Sequence, residues 1–293
     1  MIRNSITRQQ SLYKYFAIPS FLNIFLTVPD VRAFGAPRLE TRTNREQNHN
    51  IKSHLSMFSD PLSRIGLPSP LILGSGSFTR KLILNEMGIP FELFVRKIDE
   101  KNIGNRDGDA RTLVTILSNK KMDVLLDAIL NNLEEGGQNF RLPQRSGIAN
   151  DKNDWIIMTA DQVVTHEGSI LEKPINIEEA RSFVSGYAKA PPSTVGSVTL
   201  CHIPSNIRVT GVDSATIRFF PSVAETEGGK DLVQKLLEDN APILSCAGGL
   251  MVEHPLVKEH IEKIEGTEAS VMGLSKELVL HLLKELKTKL DKL

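Results

Sequence analysis

The chain has 293 residues, of which 40% are apolar, 24% charged and 5% aromatic, ordinary globular material that excludes a disordered or fibrous protein. Its 35 Lys and Arg balance 35 Asp and Glu, and a net charge of zero argues against a strongly basic nucleic-acid binder. The balance is uneven along the chain: up to Gly66 nine Lys or Arg face four Asp or Glu, a surplus of +5, so the remainder carries −5. Two cysteines, Cys201 and Cys246, have no metal-type spacing and cannot staple a chain of this size, so they read as buried small hydrophobes. The seven histidines form no HExxH pair, and no run of eighteen apolar residues could span a membrane.

In chain order, the first piece is an address. Residues 1–29 contain no acid, and Arg3, Arg8 and Lys14 precede an apolar run from Tyr15 to Val28 that Pro29 ends. This is the layout of a signal peptide over residues 1–33, since a translocon takes a short apolar helix held by positive flanks. Residues 34–68 then read as a transit segment and linker, and Ala33-Phe34 before Ala36-Pro37 resembles the presequence junction of algal secondary plastids. The expected destination is a plastid, with mitochondrion or cytoplasm as the alternatives.

From Ser69 the texture changes to one α/β domain. Leu71 to Leu73 is a short strand, Gly74-Ser75-Gly76-Ser77 a tight loop, Arg80 to Met87 a helix and Phe91 to Val95 a strand. Residues 109–133 have the spacing of a long helix, and Glu134 to Asp154 is a polar loop. Trp155 to Thr159 reads as a strand leading into Ala160-Asp161-Gln162, and Glu178 to Val184 as a helix. Thr194 to Ile203, Ile207 to Thr210 and Ala215 to Phe220 read as strands. A helix follows over Asp231 to Leu237, and Ser275 caps a last helix with Leu278, Val279, Leu282, Leu283, Leu286 and Leu290 on one face. Strands alternating with helices imply a mixed sheet with helices flanking it.

The strand–loop–helix at Gly74 to Arg80 aims backbone N–H groups and serine hydroxyls at one point, which suits phosphate, with Arg80 beside it. Asp161, at the end of an apolar strand, is placed to bind a divalent cation or take a proton from water. Asp99 and Glu100 offer further oxygen ligands, and Lys120 and Lys173 offer charge for phosphate.

The blocks LILGSGSFTRK, MGIPFE, IDE, ILSNKK, ADQVV, LEKP, AGG at 247–249 and IEGTEASVMGL together resemble, in order, those of the Maf nucleoside triphosphate pyrophosphatases. The resemblance implies an elongated α/β fold with a deep central cleft, related to the inosine triphosphate pyrophosphatases. It implies hydrolysis between the α and β phosphates with Mg²⁺ or Mn²⁺, a nucleoside triphosphate as partner, no nucleic acid or membrane for the mature form, and room for a homodimer. Carried over by position, it makes Ser75, Arg80, Lys120 and Lys173 phosphate ligands, Asp161 the proton acceptor and a metal ligand, and Asp99 the second acid. Gln162 and Glu253 stand where the branch acting on 7-methyl-GTP has glutamine and glutamate, and Thr79 at a third specificity position. The alternatives are a dTTP/UTP pyrophosphatase of the same family and a non-catalytic nucleotide-binding regulator of division. The sequence departs from the family at Phe78-Thr79, at Glu172, where the block has glycine, and at Gly196.

Overall fold

The computed structural model describes residues 60–134 and 154–293. The signal-like segment 1–33, residues 34–59 of the linker and most of the polar loop after the long helix lie outside the described residues. The compact unit begins at Asp60 rather than Ser69. Asp60 caps a short helix, α1 (Pro61–Arg64), accepting from the amides of Leu62 and Ser63, and Leu62 is fully buried. Leu67 joins Leu62 in the main core cluster and Ile65 packs against it, so this short turn is anchored by three scattered apolar residues that form no regular period.

Strands β1 (Leu71–Leu73), β2 (Phe91–Leu93), β3 (Trp155–His166), β4 (Ser169–Leu171), β5 (Ser193–Ile203), β6 (Ile207–Phe219) and β7 (Ile261–Glu265) form one mixed sheet. The order is β2-β1-β3-β5-β6-β7, with β4 added to β3; β1 runs parallel to β2 and β3, and the remaining pairs are antiparallel. The helices are α2 (Phe78–Glu86), α3 (Ala110–Glu134), α4 (Ile177–Tyr187), α5 (Leu232–Glu238), α6 (Pro255–Lys258), α7 (Glu268–Met272) and α8 (Lys276–Leu290). The expected mixed sheet with flanking helices is the observed architecture.

Period-two alternation along β3 sorts the two sheet faces. Ile156, Met158 and Ala160 join Val279, Leu282, Leu283 and Leu286 of α8 and Ile83 and Leu84 of α2 in one cluster. Trp155 and Ile157 face Met122, Leu125 and Ile129 of α3, and Val163 faces Leu113 and Leu117. Sheet position therefore decides which helix each residue of β3 meets. The sequence suggests two short strands around residues 207–220, whereas β6 is continuous over 13 residues. Gly211, which interrupts the apolar pattern, is needed for helix approach: a Cβ there would lie 2.6 Å from Leu278 Cδ1 of α8.

Gly74 ends β1 under a similar constraint. A Cβ on it would stand 2.6 Å from Leu125 Cδ2 and 2.9 Å from Thr159 Cγ2, so only glycine lets the chain turn between α3 and β3. Gly74→Ala is expected to destabilise the fold by about 1–3 kcal/mol through overpacking, read as a lowered urea midpoint at unchanged slope. Gly76 is the control, since a Cβ there meets nothing within 4 Å.

Candidate active site

β5 pairs with β3 from Trp155 to Thr165 and so occupies one edge of that strand. The other edge is shared, β1 taking Ile157 and Met158 and β4 taking Val164 to His166. Among the described residues, no strand pairs with that edge from Thr159 to Val163, and Asp161 stands at the centre of this gap. The sequence places Asp161 beyond the end of its strand; it lies within β3, and the opening arises because β1 stops at Leu73. Unequal strand lengths leave this gap at the point where the sheet changes from parallel to antiparallel, a place where open α/β sheets take ligands.

Alternation turns Asp161 toward α3, where Lys121 Nζ lies 2.5 Å from its Oδ1. One turn earlier on the helix, Ser118 accepts through its carbonyl from Thr159 Oγ1 at 2.8 Å, which fixes helix and strand in register. Lys121 also meets Glu100 Oε1 at 2.9 Å. Two carboxylates from separate segments thus converge on one ammonium. Burial pushes the Asp161 carboxyl above the ordinary carboxylate range; Lys121 and Arg80 pull it down, and Glu100 adds to the rise.

At the β1 end of the gap, Ser77 caps α2 by accepting from the Arg80 amide at 3.4 Å. Ser75 Oγ is buried and accepts from the Ser77 amide at 3.3 Å and from Arg80 Nη1 at 3.1 Å. With both acceptor positions used, its proton is left to donate to a ligand oxygen. Arg80 Nη1 also donates to Ala160 O at 2.9 Å and Nε to Gly273 O at 3.0 Å, which leaves the Nη2 edge for a phosphate. Thr79, on the first turn of α2, shares a hydroxyl hydrogen bond of 2.9 Å with Ser77.

At the β4 end, Lys173 follows the strand and is exposed. The Gly248 amide donates to Glu172 O at 3.0 Å, and Tyr187 donates to Gly248 O at 2.7 Å, so the 247–249 turn is fixed against β4 and α4. Cys246, next to that turn, has its thiol pushed up to about 12 by burial and by Glu253, with Lys173 opposing. It is a protonated thiol and no nucleophile. Glu253 is 8% exposed, and burial pushes its carboxyl above the usual range.

Three positions differ from the sequence expectation. Lys120 is exposed, and its neighbour Lys121 makes the contact, being one helical step round on the buried side. Asp99 is also exposed and accepts from Asn102 Nδ2 at 2.6 Å, while the next residue, Glu100, takes the place of second acid. Gln162 points to the sheet face opposite Asp161 and gives both amide protons away, to Ser270 O and Val271 O at 3.0 Å each. It secures α7 and keeps only its oxygen for a ligand. No group of three or more His, Cys, Asp or Glu gathers among the described residues, so a metal here would rely on Asp161, Glu100 and oxygens of the substrate. Mg²⁺ is commonly held in that manner, by one or two carboxylates with phosphate. The hard oxygen donors of Asp161 and Glu100 fit such an ion.

The family model described as Maf-like protein matches residues 70–286. A 7-methyl-GTP pyrophosphatase of Dictyostelium discoideum is 32% identical over 216 residues, 74% of this chain and 96% of that protein. A dTTP/UTP pyrophosphatase of Salinibacter ruber is 25% identical over 208 residues, 71% and 86% of the two chains. Another, of Halalkalibacterium halodurans, is 26% identical over 215 residues, 73% and 95%.

Proposed function

Because this chain belongs to the Maf-like protein family, we propose that its site hydrolyses a nucleoside triphosphate between the α and β phosphates, giving a nucleoside monophosphate and pyrophosphate. The observation that carries the reading is the gap in the edge of β3, with a buried carboxylate at its centre and cationic groups at its margins. Asp161 takes the proton of the attacking water, and its raised proton affinity makes it a stronger base than a solvated aspartate. Lys121 holds the carboxylate in place and limits the cost of burying it. Ser75, the Nη2 edge of Arg80 and Lys173 orient the phosphates, so that in-line attack becomes a matter of positioning. Asp161 and Glu100 would hold Mg²⁺ or Mn²⁺, which when bound offsets phosphate charge and stabilises the leaving pyrophosphate.

The preferred substrate in this reading is 7-methyl-GTP. A desolvated glutamate such as Glu253 gains most from a base that brings its own positive charge, and it can accept from guanine N1–H and the exocyclic amine. A pyrimidine carbonyl would meet it with like polarity. The purified protein, given 7-methyl-GTP, GTP, dTTP and UTP with Mg²⁺ or Mn²⁺, is expected to release pyrophosphate, fastest from 7-methyl-GTP. Absence of pyrophosphate from every nucleotide removes the reading. Glu253→Gln exchanges a charged acceptor for a neutral one and is expected to lower the 7-methyl-GTP to dTTP ratio of kcat/KM by about tenfold. An unchanged ratio would take Glu253 out of base selection while leaving the hydrolysis intact.

A further inference from the structure

A second ion pair lies beside the Asp161–Lys121 contact and does not belong to it. Arg106 forks onto Glu172, Nη2 to Oε1 at 3.2 Å and Nε to Oε2 at 3.5 Å. The same guanidinium donates to Glu100 O at 2.6 Å and to Ile103 O. It therefore holds by its backbone the turn whose side chain, Glu100, reaches Lys121. Glu172 is equally two-sided. Its carboxylate takes Arg106, its carbonyl takes the Gly248 amide, and the next residue is Lys173.

We infer that Arg106 and Glu172 are positioning residues of this site, a clasp that sets the Glu100 turn at a fixed place relative to Lys173 and the 247–249 turn. The inference rests on the hydrolytic reading above and adds residues which that reading does not use. The segment from Glu100 to Arg106 has little else to fix it. Its 3₁₀ turn spans three residues, the side chain of its capping Asp99 bonds the Asn102 side chain but none of its backbone amides, and its buried contact comes from Ile98 and Ile103 at its two sides. Such a turn has the freedom to move its acid by an ångström, and misplacement of that size lowers rates by up to about a hundredfold. Arginine suits the task because one planar fork can serve a carboxylate and two carbonyls together. A glycine at position 172, as in the resembling block, would have no side chain to offer Arg106.

The pair is partly exposed, with side chains 23% and 42% accessible, so its contribution to overall stability is small and its effect is expected on the rate. Arg106→Met and Glu172→Ala are each expected to lower kcat about tenfold, with KM for the nucleotide within about threefold of wild type and the melting temperature nearly unchanged. If the two residues act through one another, the double variant is expected to be no slower than the slower single variant. Glu172→Asp, which keeps the charge and reaches less far, is expected to recover part of the loss. The clasp is overturned if either single variant keeps kcat within twofold of wild type, or if the two losses multiply in the double variant. It is also overturned if the loss follows a fallen melting temperature. A wild-type protein that releases no pyrophosphate would instead remove the hydrolytic reading, so the two failures are distinguishable.

Discussion

Asp161→Asn is expected to reduce pyrophosphate release by about 10²–10⁴-fold, the range that removal of a positioned general base produces, while nucleotide binding survives. Asparagine has nearly the same shape, and its carbonyl can still accept from Lys121, so the packing of β3 against α3 is kept. What is lost is the ability to hold a proton taken from water. Binding by calorimetry with a non-hydrolysable triphosphate should therefore stay within an order of magnitude of wild type. A regulator that binds nucleotide without cleaving it would show no difference, since it needs no base at the gap. The pH profile gives a second test. A base must be ionised to act, and because burial raises the Asp161 carboxyl, the acid limb of kcat/KM should lie above the ordinary aspartate value of about 3.9. An acid limb at or below that value, or an Asp161→Asn variant of full activity, would move the base elsewhere.

Much of this arrangement can be read in the sequence, and the errors share physical causes. β1, the start of β3 and the final helix are legible because their apolar spacing is regular and their ends carry Gly74 or a capping Ser275. The choice between Lys120 and Lys121 was decidable as well. Lys121 follows Leu117 by four residues and precedes Leu125 by four, both fully buried, so it falls within the apolar stripe of α3, whereas Lys120 falls about 100° away. A lysine inside such a stripe signals a buried partner. Gln162 shows the same logic for a strand, since a residue adjacent to Asp161 must face the other side of the sheet. Nothing comparable chooses Glu100 over Asp99, both of which the sequence offers as ligands, and nothing points to Arg106. Glu100 and Arg106 sit in a 3₁₀ turn and an irregular segment where no period assigns a direction, and their partners are distant in sequence. The gap beside Asp161 depends on where β1 and β4 stop relative to β3, which is a property of pairing and not of any one segment.

The contrast between the two lysines leads to the strongest expected effect on both activity and stability. In Lys121→Met, Asp161 and Glu100 lose the ammonium that both contact, and a buried carboxylate is left facing a second acid. Removing one member of a buried pair costs up to about 3–5 kcal/mol, because the remaining charge keeps its desolvation penalty. Protonation of Asp161 is the cheaper escape, so its proton affinity should rise further. The sign then follows from linkage. A carboxyl whose proton affinity is higher in the folded than in the unfolded state favours folding at low pH, and that advantage is lost as pH rises through the folded value. The stability deficit of Lys121→Met should therefore be largest near neutral pH and shrink toward pH 4, opposite to the usual acid weakening of salt-bridged proteins. Activity should fall at least as far as in Asp161→Asn at acidic pH and recover partly as pH rises, since the base is present but carries its proton. Lys120→Ala, one residue away and exposed, should stay within about 0.5 kcal/mol and twofold of wild type. Urea denaturation and initial rates at several pH values separate these outcomes. Equal effects of the two lysines, or a Lys121→Met deficit that grows on acidification, would mean that the ammonium does not hold the carboxylate of the gap.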